Sequence, residues 1–233
     1  MMNKVKDIIQ GILVIALYFI TTTFAGLIIS LLPFDYSTWS ETAKYILTIV
    51  YEFIQLLIFI LILHKKVFKD AKEWFSSPLK YLREYIKYYG LMLMIMYISN
   101  VLIMKIFNLE IAANEQSIRS LIKSSPFVSC AFICFIAPVL EELVFRLSFY
   151  KILKKWPIVF IALSGLIFGS MHLIGSAASL IEWIYIIPYG APGCILAYTL
   201  YKSDNICVPI SLHMINNTFS YVVQLVSLLF ISL

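Results

Sequence analysis

The sequence is poor in charge. Only 13% of its 233 residues are Asp, Glu, Lys or Arg, whereas soluble domains carry about 25%. Hydrophobic residues make up 61% of the chain, and the mean hydropathy is +0.91. Uncharged runs long enough to cross about 30 Å of hydrocarbon recur along the chain. A soluble globular domain is therefore excluded, and the composition predicts an all-α, polytopic transmembrane helix bundle.

Cysteine is also scarce, which limits thiol chemistry. The four cysteines lie in apolar segments and none belongs to a Cys-x-x-Cys pair, so we expect packing residues rather than a metal or redox site. They are Cys130, Cys134, Cys194 and Cys207. Basic tails and RNA-type aromatic motifs are missing too. The net charge of +5 is therefore assigned to topology and to membrane lipid as a partner, and nucleic acid is excluded.

Uncharged runs divide the chain into candidate membrane spans. The first run continues to about Leu32, which is too long for a signal peptide, so it is counted as a span. Prolines and glycines within 188–193 predict a broken helix that faces protein or water. We predict seven spans, or eight if the last one breaks in two: 9–32, 45–63, 88–108, 127–148, 157–177, 178–201 and 206–228.

The only long polar connection between these spans is residues 64–87. Seven Lys and Arg residues alternate there with large apolar ones. This pattern fits either an amphipathic segment on anionic lipid or an ordinary cytoplasmic loop. Counting Lys and Arg on the two sides of the spans places the N-terminus in the cytoplasm. We expect an integral, multi-pass protein, located in the plasma membrane if the source is bacterial.

Three charges follow directly on the uncharged run 126–140: Glu141, Glu142 and Arg146. A charge near the centre of a bilayer costs about 2.5 to 3.5 kcal/mol on insertion scales. Charged residues in such positions generally face the bundle interior or a water-filled cavity. We therefore expect a functional site at this point of the chain.

Only three histidines occur, and two of them lie inside predicted spans. His64 lies at a membrane edge beside two lysines, and we expect an interfacial residue without a role. His172 follows Phe168 by four residues, and His213 precedes Asn217 by four, so each pair shares a helix face. Two histidines and an amide in one bundle with a carboxylate pair favour a single polar site.

In this order, the motifs resemble those of the CAAX protease and bacteriocin-processing family of intramembrane glutamic endopeptidases, which includes the Ras-converting CAAX endopeptidases. The resemblance covers about residues 120–225. EExxxR is matched by Glu141, Glu142 and Arg146, FxxxH by Phe168 and His172, and HxxxN by His213 and Asn217.

The resemblance implies an intramembrane endopeptidase that uses no metal. Its substrate would be a membrane-associated or prenylated protein or a peptide precursor. Glu141 and His172 would activate water, while His213 and Asn217 would stabilise the oxyanion. Residues 120–233 would form the protease core, preceded by N-terminal transmembrane helices in residues 1–119.

The residues themselves suggest how the neighbouring glutamates divide their roles. On a helix, Glu141 and Glu142 point about 100° apart and cannot both aim at one water. Glu142 and Arg146 are spaced i, i+4, the favourable order for an ion pair. We therefore expect Arg146 to hold Glu142 while Glu141 faces the cavity. Pro138 is expected to kink the helix and to make room for water.

Three alternatives remain open at this point. Glu141, His172 and His213 could form a zinc site, since two histidines and a carboxylate are a catalytic zinc set, although no HExxH supports it. A proton-coupled transporter would use the same buried charges. A non-catalytic membrane partner, such as a bacteriocin-immunity or scaffolding protein, would keep the motifs without turnover.

The predicted spans place two of the site residues at different depths in the membrane. Glu141 lies near mid-membrane, whereas His172 lies toward the end of its span.

Overall fold

A computed structural model describes residues 2–31, 33 and 35–231 and shows a helical bundle. Leu32, the predicted end of the first span, lies outside these residues. No strand occurs in the described part of the chain, so the predicted all-α fold is confirmed. The helices are α1 (Met2–Thr23), α2 (Ala25–Ser30), α3 (Glu41–Ser76), α4 (Pro78–Phe107), α5 (Ala113–Ser124), α6 (Pro126–Leu153), α7 (Pro157–Met171), α8 (Ile186–Ser203) and α9 (Cys207–Ile231). Short 3-10 turns lie at Tyr36–Thr38 and Leu180–Tyr185.

Five described helical segments are long and apolar enough to cross a membrane: Lys4–Thr23, Glu41–Ser76, Pro78–Phe107, Pro126–Leu153 and Leu180–Ser203. The apolar helix α7 is shorter, with 15 residues, and α9 has 25. Each predicted span coincides with one of these helices or with α1 and α2 together. The last span does not break in two, because α9 is one helix. The broken helix predicted within 188–193 is wrong, because α8 continues from Ile186 to Ser203 with Pro192 inside it. The chain is a multi-pass integral membrane protein, and the number of crossings stays a prediction.

Residues 64–87 are helical rather than an ordinary loop. Helix α3 continues to Ser76 and α4 begins at Pro78, so that only Ser77 interrupts them. Lys and Glu, which are abundant here, are good helix formers. Pro78 lacks a backbone N–H and is tolerated only in the first turn of a helix, which explains the break at this point.

Helix α6 is the most buried of the five candidate spans and contains two π-helical stretches, Phe132–Ile136 and Glu142–Ser148. Pro138 follows the first stretch, and proline distorts a helix because it has no N–H and its ring clashes with the carbonyl group of residue i−4. The i→i−5 hydrogen bond that residue 138 would donate to the Ile133 oxygen is therefore missing. The predicted distortion near Pro138 therefore takes the form of wider turns. All seven residues of the second stretch are buried, so this wide turn lies in the core.

Helix α7 ends earlier than predicted. The span 157–177 was expected, but α7 stops at Met171, and residues 173–179 form turns and bends. Gly175 has a φ of +78°, which glycine adopts without the strain that a side chain would bring. His172 is therefore the C-cap residue of α7, and the predicted helical continuation to residue 177 is wrong.

Candidate active site

The three motifs meet at a cavity of about 300 Å³ that is lined by residues of α1 and of α3 to α9. Five of the seven motif residues line it, whereas Glu142 and Arg146 lie behind its wall. The lining motif residues are Glu141, Phe168, His172, His213 and Asn217. Residues more than 70 positions apart in the chain are thus brought together, as the sequence predicted.

Glu142 and Arg146 form the predicted ion pair. Arg146 Nε lies 3.3 Å from Glu142 Oε2, and both side chains are fully buried. The other side of the guanidinium faces the Phe168 ring, whose centroid is 4.1 Å from Arg146 Cζ. The guanidinium is therefore held by a carboxylate and by an aromatic face. Phe168 of the second motif thereby supports a residue of the first.

His213 lies between the two glutamates. Its Nδ1 atom lies 2.8 Å from Glu142 Oε1, and its Nε2 atom lies 3.6 Å from Glu141 Oε2. Glu142 is an acceptor as long as it is ionised opposite Arg146, so Nδ1 donates to it. Nε2 then carries a proton only when the ring is an imidazolium. With that charge, Glu141, Glu142, Arg146 and His213 form an electrically neutral group.

His172 also donates a hydrogen bond through Nδ1, but to a backbone carbonyl group. Its Nδ1 atom lies 2.9 Å from the Phe168 carbonyl oxygen, which can only accept a hydrogen bond. Nδ1 is therefore the donor, and Nε2 of the neutral ring is left as an acceptor. The ring stacks on Tyr189 with a centroid distance of 4.7 Å and meets Phe168 edge-on at 4.6 Å. These contacts fix the orientation of the ring, with Nε2 left free to accept a hydrogen bond.

Asn217 forms a hydrogen bond with the π-helical part of α6. Its Nδ2 atom donates to the Ile133 oxygen at 3.0 Å, the carbonyl group that a π-helical bond from Pro138 cannot reach. The neighbouring Asn216 donates to Asn217 Oδ1 at 3.3 Å. An amide nitrogen carries two hydrogens, so one N–H of Asn217 stays available to a ligand in the cavity.

The first helices also contribute to the cavity, which the sequence reasoning missed. Tyr18 of α1 and Glu52 of α3 line it, outside the segment that carries the motifs. Glu52 is the only charged residue in the run 45–63. Glu52 is a charge within an apolar run, and the same signal that marks Glu141 therefore marks Glu52.

Other polar lining residues come from α5 and α9. Glu115 accepts a hydrogen bond from Gln224 Nε2 at 2.6 Å and faces Arg119 Nε at 3.4 Å. None of the residues that line the cavity is Lys or Arg. Within the described residues, no group of three or more His, Cys, Asp and Glu side chains is placed to hold a metal ion. The candidate zinc ligands therefore share the cavity without forming a ligand cluster.

Fold and site together define a class: a multi-pass membrane protein whose helices enclose a site of carboxylates, histidines and an amide. Residues 123–219 match the family model described as Rce1-like, type II CAAX prenyl endopeptidase Rce1-like, so this part of the chain is similar to that family. The matched segment contains every residue of the three motifs. The resemblance seen in the sequence is thus confirmed.

One curated relative supports the same family. The chain is 29% identical over 114 residues to the protein titled "Putative membrane peptidase YdiL" from Bacillus subtilis (strain 168). The aligned segment covers 48% of this chain and 43% of that protein, so less than half of the relative is matched. No solved structure matches the chain.

Proposed function

We propose that the chain is an intramembrane endopeptidase that hydrolyses peptide bonds by a metal-free, glutamate-dependent mechanism. The observation that carries this proposal is the meeting of Glu141, His172, His213 and Asn217 at one cavity inside the bundle. Hydrolysis of an amide needs a base for water and donors where negative charge develops. The four residues supply both.

Glu141 and His172 activate the water. The Glu141 side chain is 23% exposed and faces the cavity, whereas the Glu142 side chain is fully buried. His172 offers Nε2 as an acceptor because its Nδ1 proton is held by the Phe168 oxygen. Glu141 takes one proton from the water as the oxygen attacks the carbonyl carbon, and later gives it to the leaving amine nitrogen. The proton count is then restored at the end of the cycle.

His213 and Asn217 stabilise the oxyanion. The imidazolium form of His213 presents Nε2–H to the cavity, and Asn217 presents its second amide hydrogen. In other enzymes, removing one oxyanion donor costs about 2.7 to 4 kcal/mol of transition-state stabilisation. Glu142 holds His213 in this orientation, and Arg146 holds Glu142. These two residues position the catalytic groups and do not face the substrate.

The substrate that fits this cavity is a membrane-associated or prenylated protein or a peptide precursor, such as a bacteriocin leader. Apolar side chains from four helices surround the polar site, so a hydrophobic segment entering from the bilayer stays in contact with apolar surface. They include Met92, Met96, Ile118, Leu121, Phe132 and Leu196.

The test is comparative peptidomics of membranes from a deletion strain that expresses one variant at a time at equal abundance. We expect fragments that form with the wild-type chain and disappear with Glu141→Gln, His172→Ala or His213→Ala. Asn217→Ala should reduce them strongly, by about 100-fold if one oxyanion donor is lost. His64→Ala is the matched control, because this third histidine is exposed and lies outside the cavity.

Three outcomes would overturn the proposal or its mechanism. Cleavage that persists in His172→Ala or His213→Ala contradicts the roles given to these rings. Loss of activity with a chelator and recovery with zinc would replace the metal-free mechanism by a zinc site. Identical peptide patterns for wild type and Glu141→Gln would favour a non-catalytic membrane partner.

A further inference from the structure

A second cavity, of about 560 Å³, lies at one end of the bundle among α1, α3 and the end of α6. It contains no residue of the three motifs. Six lysines from separate parts of the chain line it, against two aspartates. The lysines are Lys6, Lys65, Lys66, Lys69, Lys151 and Lys154.

Three of these lysines form ion pairs with carboxylates of the chain. Lys151 Nζ forms an ion pair with Asp7, and Lys66 Nζ lies 3.0 Å from Asp70 Oδ1 and 3.3 Å from Asp204 Oδ1. Lys69 lies 3.6 Å from an exposed glutamate.

The other three, Lys6, Lys65 and Lys154, have no carboxylate in salt-bridge range within the part of the chain that the structure describes. Three unpaired cations therefore face one cavity, and a bound anion would relieve their mutual repulsion.

Contacts between helices hold this cavity in shape. A Cβ atom at Gly11 would lie 2.6 Å from the Ser148 oxygen, so α1 packs closely on α6. Gln10 Nε2 donates to the Ile62 oxygen at 2.6 Å, and Gln10 Oε1 accepts from Lys151 at 3.2 Å. The lysines on the three segments are thus kept close together before any ligand binds.

The surfaces beside the cavity are apolar. Ile9 follows Lys6 by three residues on α1 and is 58% exposed, and Phe68 follows Lys65 by three on α3 and is 63% exposed. Residues three apart on a helix are neighbours on its surface. A ligand that has an anionic head and an apolar body would contact both kinds of surface.

We propose that this cavity binds the phosphate group of an anionic lipid headgroup, with the acyl chains lying along α1 and α3. Lysine ammonium groups bind phosphate as point charges. Inorganic phosphate shares this chemistry but lacks the acyl chains, so it would leave the apolar surfaces uncovered. The site is separate from the proposed active site, and its test needs no substrate.

The experiment measures lipid binding to the full chain purified in a neutral detergent. The probes are dihexanoyl phosphatidylglycerol, dihexanoyl phosphatidylcholine and inorganic phosphate, with affinity followed by native mass spectrometry and by thermal shift. We expect phosphatidylglycerol to bind more tightly than the other two. The triple variant Lys6→Gln, Lys65→Gln, Lys154→Gln should lower its affinity on the order of 10- to 100-fold.

The control removes the same charge outside the cavity, in the triple variant Lys72→Gln, Lys80→Gln, Lys87→Gln. These lysines are exposed on the adjoining parts of α3 and α4, and we expect less than about a threefold change. Equal losses in the two triple variants would overturn the proposal. Wild-type protein that binds inorganic phosphate as tightly as phosphatidylglycerol would refute the lipid. If the first triple variant does not fold, the single variants Lys65→Gln and Lys154→Gln replace it, and unchanged affinity in both refutes the site.

Discussion

At the scale of single residues, His213 joins the two glutamates into one electrostatic unit. Its Nδ1 atom is 2.8 Å from one carboxylate and its Nε2 atom is 3.6 Å from the other. Because Glu142 also pairs with Arg146, a change at any of these positions alters the charge balance of the others. A buried charge that loses its partner is strongly destabilising. We therefore expect substitutions at some of these residues to lower both stability and activity, and substitutions at others to lower activity alone.

The first prediction concerns the two adjacent glutamates. Glu142→Gln and Arg146→Ala each break a fully buried ion pair and should lower the free energy of unfolding by about 3 to 5 kcal/mol. Glu141→Gln should stay close to wild type in stability and lose activity, because its side chain is partly exposed in the cavity. Thermal unfolding of the three purified variants in detergent measures this. An unstable Glu141→Gln beside a stable, inactive Glu142→Gln would show that the roles are reversed.

At the scale of the elements, the close approach of α7 and α8 sets the shape of the site. A Cβ atom at Gly165 would lie 2.2 Å from Cys194 Sγ and 2.7 Å from the Gly190 oxygen, so the backbones are nearly in contact. Gly193 of α8 lies at the same contact, and a Cβ atom at this position would be 3.3 Å from a terminal guanidinium nitrogen of Arg146. The absence of a side chain at Gly193 therefore leaves space for the guanidinium group. Small residues at helix contacts are common in membrane bundles for this reason.

The second prediction tests this contact with one added methyl group. Gly165→Ala should destabilise the protein by about 1 to 3 kcal/mol through overpacking and should lower activity. Gly90→Ala is the control, because a Cβ at Gly90 meets nothing within 4 Å and alanine favours the helix by up to about 1 kcal/mol. Unfolding in detergent compares the two. Equal stabilities of the two variants would mean that the close approach of α7 and α8 does not stabilise the protein.

At the scale of the whole molecule, basic residues gather at one end of the bundle. Two ion pairs show which segments lie at this end: Lys151 with Asp7 joins α6 to α1, and Lys66 with Asp204 joins α3 to the end of α8. The other end includes the start of α3 and the start of α6, where Thr42 Oγ1 lies 3.2 Å from Ser125 Oγ. The positive-inside rule then predicts that the basic end, with residues 64–87 and 151–155, lies in the cytoplasm.

The third prediction is this orientation. Single cysteines at Lys72 and Lys155, introduced after the native cysteines are replaced, should react with an impermeant maleimide only in inside-out vesicles. A cysteine at Ser37, near the opposite end, should react from outside. All three positions are exposed. Labelling of the Lys72 position from outside intact cells would show that the chain is inverted.

The sequence alone determined those features that depend on neighbours along the chain. Apolar runs define helices, and i, i+4 spacing pairs Glu142 with Arg146 and places His213 on one face with Asn217. Motif order was enough to recognise the family and to foresee that distant motifs share a cavity. The signal for Glu52 was equally local, a lone charge in the run 45–63, and it was overlooked.

Tertiary structure decided what depends on contacts between distant segments. The donor atom of each histidine follows from its partner, a carbonyl oxygen for His172 and a carboxylate for His213. The Asn217 contact with Ile133 joins residues 84 positions apart. The lysine cavity likewise gathers three segments that no periodicity connects. Local spacing fixes which face of a helix a side chain occupies, but only the packing of the helices determines which groups that face meets.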